Sequence, residues 1–353
     1  MKPIKLTSER AWRTYLGGNM LDSFHGREVC EDSHFPEEWI MSTTAAKNAG
    51  REHIRDEGMS RDVQTHETLK KLIERAPEEM LGAEHYKKYG ANTGVLIKLI
   101  DSAERLSVQV HPNKEMARKL FHSEYGKTEC WHILDGRTIN GAEPCIYLGF
   151  KENITREKWK DIFDRQDIPA MLECLHRIPV HKGDTYLIPG GVPHAIGSGC
   201  FLMEIQEPTD YTIRTERITP SGFQIADSMC HQGIGFEKMF DCFCYKGMNE
   251  EENRKAYQIP LENNGTGEVL IGYHISPCFQ LTLFRVTSTL HLDSDTVFKG
   301  LYILSGEGEI GCTDGSVMRV YKGDQFFVPA NTSMTITAKN DEICFAQLNG
   351  PEI

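Results

Sequence analysis

Three short segments carry residue types that can do chemistry. In SVQVHP (107–112), a strand sends successive side chains to opposite faces, so Ser107, Gln109 and His111 point the same way. In GKTECW (126–131) the same period of two puts Lys127 and Glu129 on one face. GDTYLIPGGVPH (183–194) fits the pattern G-x5-P-x-G-x2-H through Gly183, Pro189, Gly191 and His194. Its glycines and proline make a tight turn that delivers His194 from a hairpin. Gln109, His111, Glu129 and His194 together offer two imidazoles, one carboxylate and one amide oxygen. That set suits Zn2+ or another divalent transition metal, one per chain, with room left for substrate oxygens. Taken singly, each has a plainer reading. A strand histidine is usually a hydrogen-bonded core or surface residue, and a glutamate near a lysine is usually a solvated ion pair.

An internal repeat weighs between these readings. KGDTYLIPG (182–190) and KGDQFFVPA (322–330) agree at Lys, Gly, Asp, an aromatic, two apolar positions and Pro. Upstream, WHILDG (131–136) resembles LYILSG (301–306) in the same order. Aligning the copies sets Lys299 against Glu129 and Met334 against His194. The second copy keeps the scaffold and lacks both ligand types. The scaffold therefore does not itself demand Glu or His, and the metal site is expected in the first copy alone.

The elements that must hold these residues can be read from pattern. The first 60 residues read as loops and short strands. Leu69, Leu72 and Ile73 mark a helix that stops at Ala76-Pro77. VLIKLIDSAERLSVQVHP (95–112) contains two strands, and 113–126 is helical or looped. Trp159, Ile162 and Phe163 mark a helix capped by Asn153 or Thr155; Ile168, Leu172 and Leu175 mark another, ending before Pro179. Strands and turns fill 181–208, and 223–258 is partly helical. NNGTG (263–267) is the linker candidate, followed from 270 by closely spaced strands. The expectation is mainly β with helical insertions: two related sandwiches, divided as 1–262 and 263–353.

Composition bounds the function. The chain has 353 residues, 39% hydrophobic and 25% charged, with a net charge of −12. This is globular, long enough for two domains, and too acidic for nucleic acid or an anionic membrane as main partner. An anionic small molecule remains compatible, because local cations dominate at contact distance. No apolar run is long enough to span a bilayer, and no apolar segment follows the N-terminus. Eleven cysteines without any CxxC fit a reducing cytoplasm, and Cys242-Phe-Cys244 reads as buried filler. No heptads or distinctive interface segment indicate an oligomeric state.

At the chemical residues the chain resembles a known family. The double sandwich with G-x5-P-x-G-x2-H is similar to a cupin, which implies two jelly-roll β-sandwiches. QVHP, GKTE, PHA and a downstream arginine resemble the type I phosphomannose isomerases, in their shorter bacterial form. EEWIMST (37–43) and LIKLIDSAERLSVQVHP extend the resemblance over most of the chain. Cupin oxygenases usually carry H-x-H where this chain has Gln109 and His111.

The resemblance implies metal ligands at Gln109, His111, Glu129 and His194, and a functional arginine at Arg214. It also implies an acidic residue ten positions earlier, Glu204. If 201–206 is a strand, Glu204 and Gln206 share one face while Phe201, Met203 and Ile205 fill the core. The implied reaction interconverts mannose 6-phosphate and fructose 6-phosphate through an enediol, with Arg214, Lys127 and Glu204 catalytic. Glu204, a metal-bound hydroxide and a free histidine all stand as candidates for the base. Ser107, Lys127, Arg214 and Arg217 are the expected substrate contacts. Two departures from the family stand out. AWRTYLGG lacks a tryptophan directly before its glycines, and RTERITPS has Ser221 where larger relatives have a phosphate-holding lysine, which leaves Arg217 or another basic residue to replace it. Alternatives are an isomerase of another aldose, phosphorylated or not, or a non-catalytic sugar-binding cupin.

Overall fold

A computed structural model of the chain describes residues 1–48, 50–263 and 267–353. The first strands are β1 (Ile4–Leu6), β2 (Glu9–Ala11), β3 (Glu37–Ile40), β4 (Leu96–Asp101), β5 (Gln109–Val110) and β6 (Glu129–Gly136). Next come β7 (Cys145–Phe150), β8 (Leu175–Pro179), β9 (Thr185–Ile188), β10 (His194–Ile196), β11 (Cys200–Gln206) and β12 (Ile213–Arg214). The C-terminal part adds β13 (Glu262–Asn263), β14 (Glu268–Ile271), β15 (Gln280–Val286), β16 (Thr289–Leu292) and β17 (Lys299–Ser305). It ends with β18 (Glu307–Cys312), β19 (Val317–Tyr321), β20 (Gln325–Val328), β21 (Met334–Ala338) and β22 (Ile343–Asn349).

Four antiparallel sheets stack as layers. The five-stranded sheet β12-β5-β10-β7-β8 faces the six-stranded sheet β2-β3-β4-β11-β6-β9. Between them lie Ile100, Trp131, Ile133, Ile146, Leu148 and Leu202. The seven-stranded sheet β1-β20-β17-β22-β15-β14-β13 faces β16-β21-β18-β19 over Leu301, Ile303, Ile310, Phe326, Ile336 and Phe345. The six- and seven-stranded sheets then pack back to back, Ile97, Leu99, Met203 and Ile205 meeting Leu281, Tyr302, Phe327 and Leu348. The architecture is two cupin-type jelly-roll sandwiches. Burial on both faces explains why β4, LIKLID, reads as a continuous apolar run interrupted by one lysine.

The sequence repeat is a repeated turn. Glu129 pairs with Ile188 at the start of β6, and Lys299 with Val328 at the start of β17. In each KGD the glycine takes a left-handed φ, 97° at Gly183 and 87° at Gly323. In each, the aspartate accepts a backbone N–H three residues back: His181 to Asp184 at 2.8 Å, Tyr321 to Asp324 at 3.0 Å.

Helices over Leu69–Arg75, Arg156–Arg165 and Ile168–Glu173 lie where periodicity puts them. Thr155, not Asn153, caps the second, accepting from the Lys158 amide. Other readings are corrected. Leu175 does not end a helix; the chain turns at Cys174 and Leu175 opens β8. A helix over Asn19–Phe24 stands in a stretch read as loops and strands. Cys242 is buried, but Cys244 is exposed and fills nothing. Residues 264–266 of the NNGTG segment lie outside the described residues. The N-terminal part also lends a strand to the second sandwich, since β1 pairs with β20 at the edge of the seven-stranded sheet. Among the described residues no helix is long and apolar enough to cross a membrane.

Candidate metal centre and adjoining cavity

The metal-ligand candidates come together at one mouth of the first sandwich. β5 runs between β10 and β12, so Gln109 lies opposite His194 on one side and Arg214 on the other. Gly190 allows the turn before His194 to sit on the segment after His111; a Cβ there would meet Asn113 Cα at 2.7 Å. Glu129 enters from the facing sheet. His111 Nε2 lies 3.0 Å from Glu129 Oε1, His194 Nε2 lies 3.9 Å from Oε2, and the Gln109 amide stands 3.3 Å from His194 Nε2. The ligand atoms of His111, Glu129 and His194 all fall within 4.8 Å of one another.

The surroundings suit a cation. Each imidazole has its Nδ1 against a backbone carbonyl, His111 against Tyr211 and His194 against Val192, both at 2.8 Å. Donation there leaves Nε2 with its lone pair turned to the cluster. Burial and the Lys127 ammonium push His111 down to about 3, and burial holds His194 below its usual value. Both are therefore neutral at ordinary pH, the form that binds metal. Burial alone would raise Glu129, but Lys127 and His111 outweigh it and keep the carboxyl well below its usual range. Its Oε1 is fully buried and receives no well-directed hydrogen bond, although Lys127 Nζ lies 2.6 Å away. The same ammonium lies 2.9 Å from His111 Nε2. A positive charge thus already sits between two of the ligand atoms.

A cavity of about 40 Å³ opens beside this cluster. Ser107, Gln109, Lys127, Glu204 and Arg214 all line it. Glu204 pairs across β11 with Lys98 on one side and Trp131 on the other. Its carboxylate meets Lys98 Nζ at 2.9 Å and accepts the Trp131 indole N–H at 3.0 Å. Burial and the Glu129 carboxylate raise its pKa, with Lys98 and Lys127 opposing. Arg214 donates to the carbonyls of Thr212 and Met229, and among the described residues no carboxylate lies within ion-pair distance of it. Phe201, Met203 and Ile205 face the apolar core, as period two requires.

Arg217 is the expected site residue that the structure does not bring in. Its guanidinium covers the rings of Phe163 and Phe236 and lies 3.8 Å from Asp227. Ser221 is likewise turned away, onto the Glu104 carboxylate.

Five further residues of the cavity wall escaped sequence reasoning: Arg13, Tyr15, Glu37, Lys98 and Asp210. Glu37 is their hub. It accepts from Arg13, Tyr15 and Trp39, each at 2.8 Å, while Lys98 lies 3.9 Å away. Burial pushes its carboxyl up, but Arg13 and Lys98 win and hold it at about 2. Arg13 also reaches Asp210 at 3.5 Å. One signal was available: a lysine inside the apolar run LIKLID must be paired if that strand is buried.

Comparison with known proteins bears on the family and the fold. The model of the phosphomannose isomerase type I catalytic domain matches residues 30–128. A Bacillus subtilis protein carrying the name "Putative mannose-6-phosphate isomerase YvyI" is 30% identical over 269 residues, covering 71% of this chain and 74% of its own. The mannose-6-phosphate isomerase of Streptococcus mutans is 28% identical over 258 residues, covering 72% and 75%. The crystal structure of the Bacillus subtilis mannose 6-phosphate isomerase superposes with a TM-score of 0.73 over 99% of this chain and 100% of that one, at 21% identity, which establishes the fold. The chain belongs to the type I phosphomannose isomerases, the enzymes also called mannose-6-phosphate isomerases.

Proposed function

We propose that the chain interconverts mannose 6-phosphate and fructose 6-phosphate by a metal-dependent proton transfer through an enediol. The carrying observation is the buried His111–Glu129–His194 cluster, with Gln109 beside it, opening on a cavity walled by Lys127, Glu204 and Arg214. Gln109, His111, Glu129 and His194 would hold one Zn2+ per chain. When bound, a divalent ion acts as a Lewis acid toward the oxygens on C1 and C2 of the open-chain sugar.

The chain's own groups do the rest. Glu204 is the base. Its raised pKa suits a carboxylate that takes a proton from C2 and returns it to C1. Lys98, at 2.9 Å, holds it in place. Arg214 keeps its proton and stabilises negative charge that develops on the sugar oxygens. Lys127 donates to a sugar oxygen, and Ser107 lines the wall beside it.

The test is chelation and reconstitution. Stripped protein should lose conversion of mannose 6-phosphate to fructose 6-phosphate, followed in a coupled assay, and regain it with one equivalent of Zn2+ or a similar ion. Full activity in rigorously metal-free protein overturns the metal role. Turnover of unphosphorylated aldoses alone would favour the other-aldose reading, and sugar binding without turnover the non-catalytic sugar-binding one.

A further inference from the structure

A second and larger cavity, of about 510 Å³, lies outside the first and shares Asn48, Asp210 and Arg214 with it. Its remaining wall comes chiefly from Lys47, Arg51, Glu52 and Arg55 on one side and from Ser228, Met229 and Gln232 on the other. Neither the sequence motifs nor the proposed reaction assigns it a task. At about 40 Å³ the inner cavity admits only the reacting end of a sugar, so the rest of an extended substrate must lie outward.

The charges there are lopsided for a chain of net −12. Four cations line the outer cavity, Lys47, Arg51, Arg55 and Arg214, against two carboxylates, Glu52 and Asp210. Both carboxylates are already engaged. Asp210 faces Arg13 at 3.5 Å and accepts the Lys47 amide at 3.3 Å, and Glu52 accepts the Gly50 amide at 3.0 Å. Arg51 is committed to Glu57 at 2.7 Å and lies over the rings of Trp12 and Phe35. Lys47 and Arg55 are exposed, and among the described residues neither has a carboxylate within ion-pair distance.

We propose that this outer cavity seats the phosphate of the substrate, held by Lys47 and Arg55, while Arg214 divides it from the reacting end. The inference rests on the isomerase reading above. It assigns the preference for a phosphorylated sugar to Lys47 and Arg55 rather than to Arg217 or Ser221. Arg51 serves as the fixed post between Lys47 and Arg55.

The experiment measures kcat and KM on mannose 6-phosphate and on mannose for the zinc-loaded wild type, the K47A/R55A double variant, its charge-preserving partner K47R/R55K, and R217A. Hydrogen bonds to charged groups are worth about 1.5–3 kcal/mol, roughly ten- to a hundredfold each. K47A/R55A should therefore lower the preference for mannose 6-phosphate, as the ratio of kcat/KM values, by about tenfold or more. The loss should appear in KM, and K47R/R55K should recover most of it. An unchanged ratio in K47A/R55A, an equal loss on both sugars, or a fall in the ratio only in R217A overturns the assignment. A wild type that converts both sugars equally well overturns the phosphate seat and leaves the isomerase standing. A wild type that converts neither overturns the isomerase reading itself.

Discussion

At the mouth of the first sandwich His194 opens β10, flanked by Gln109 of β5 and Leu148 of β7. At the same place in the second, Met334 opens β21, flanked by Leu292 of β16 and Cys312 of β18. The turn before each needs a left-handed residue, Gly191 with φ 96° in one and Asn331 with φ 58° in the other. Where Glu129 begins β6, Lys299 begins β17 and donates to the Asp293 carbonyl at 3.1 Å. The backbone of one mouth is thus that of the other, with two ligand types replaced by apolar side chains and the carboxylate by a cation. Backbone register decides where a side chain stands, and residue type alone decides whether a metal can be held. A further difference lies at the sheet edge. β16 is an edge strand, whereas β5 carries β12 beside it, and β12 is what brings Arg214 across from Gln109.

The comparison can be broken most forcibly at His194. His194→Ala should empty the metal site and reduce activity by more than about 10³, beyond the roughly 10–100-fold that loss of a ligand's outer hydrogen-bond partner costs. Metal content per chain and circular dichroism on the same sample separate loss of metal from loss of fold. Retained stoichiometric metal would remove His194 from the ligand set.

The added strand gives the next effect. Arg214→Ala should lower kcat by about 10²–10³, the usual loss for one preorganised charge-stabilising donor, with metal and melting temperature kept. Arg214→Lys should recover only part, since an ammonium lacks the two-donor fork. If KM for mannose 6-phosphate rises while kcat holds, Arg214 grips phosphate rather than the transition state.

Acid distinguishes the two halves thermodynamically. Glu37 titrates near 2 when folded, below its usual value near 4.5. Its contribution is complete above that usual value and is lost as the pH falls through the folded one. Roughly 3 kcal/mol of stability should disappear between about pH 4.5 and 2. The core of the second sandwich is built from Leu301, Ile303, Phe326 and Phe345, and among the described residues no carboxylate there accepts from three side chains as Glu37 does. All four tryptophans lie at or before position 159, so their fluorescence reports the first half. The tryptophan transition should move with pH in this window, and Glu37→Gln should flatten that dependence. A wild-type transition insensitive to pH there would show that Glu37 is not held ionised.

The smallest effect is expected at Met334→Leu. Volume is nearly conserved, so the cost should stay below about 1.5 kcal/mol, with metal content and kcat unchanged. Loss of metal from this variant would mean that the two copies are paired wrongly.

The His111–Glu129–His194 cluster was legible because period two fixes the faces of His111 and Glu129, while a glycine–proline turn delivers His194. The two sandwiches were legible because the KGD turn recurs with its glycine and aspartate. The hub around Glu37 was not. Arg13, Glu37, Lys98 and Asp210 come from four separate segments, and only the pairing of β3 with β4 and the approach of residues 13–15 make them neighbours. Arg217 misled because a cation three residues after Arg214 shares its stretch of sequence, yet its guanidinium lies over Phe163 and Phe236, outside the cavity. Leu175 continued an apolar spacing that suits helix and strand alike, and its pairing with Phe150 decided the matter.

The strand lent to the second sandwich also bears on the order in which the molecule can be made. Lys5 of β1 and Asp324 beside β20 meet at 2.7 Å yet lie 319 residues apart. At about 5–20 residues per second, β1 leaves the ribosome tens of seconds before its partner exists. The first sandwich can assemble during that interval, because its sheets draw on residues 9–214 alone. The edge of the second is then closed by a strand made before the rest of its sheet, and through all that time Ile4 and Leu6 must be kept from pairing elsewhere.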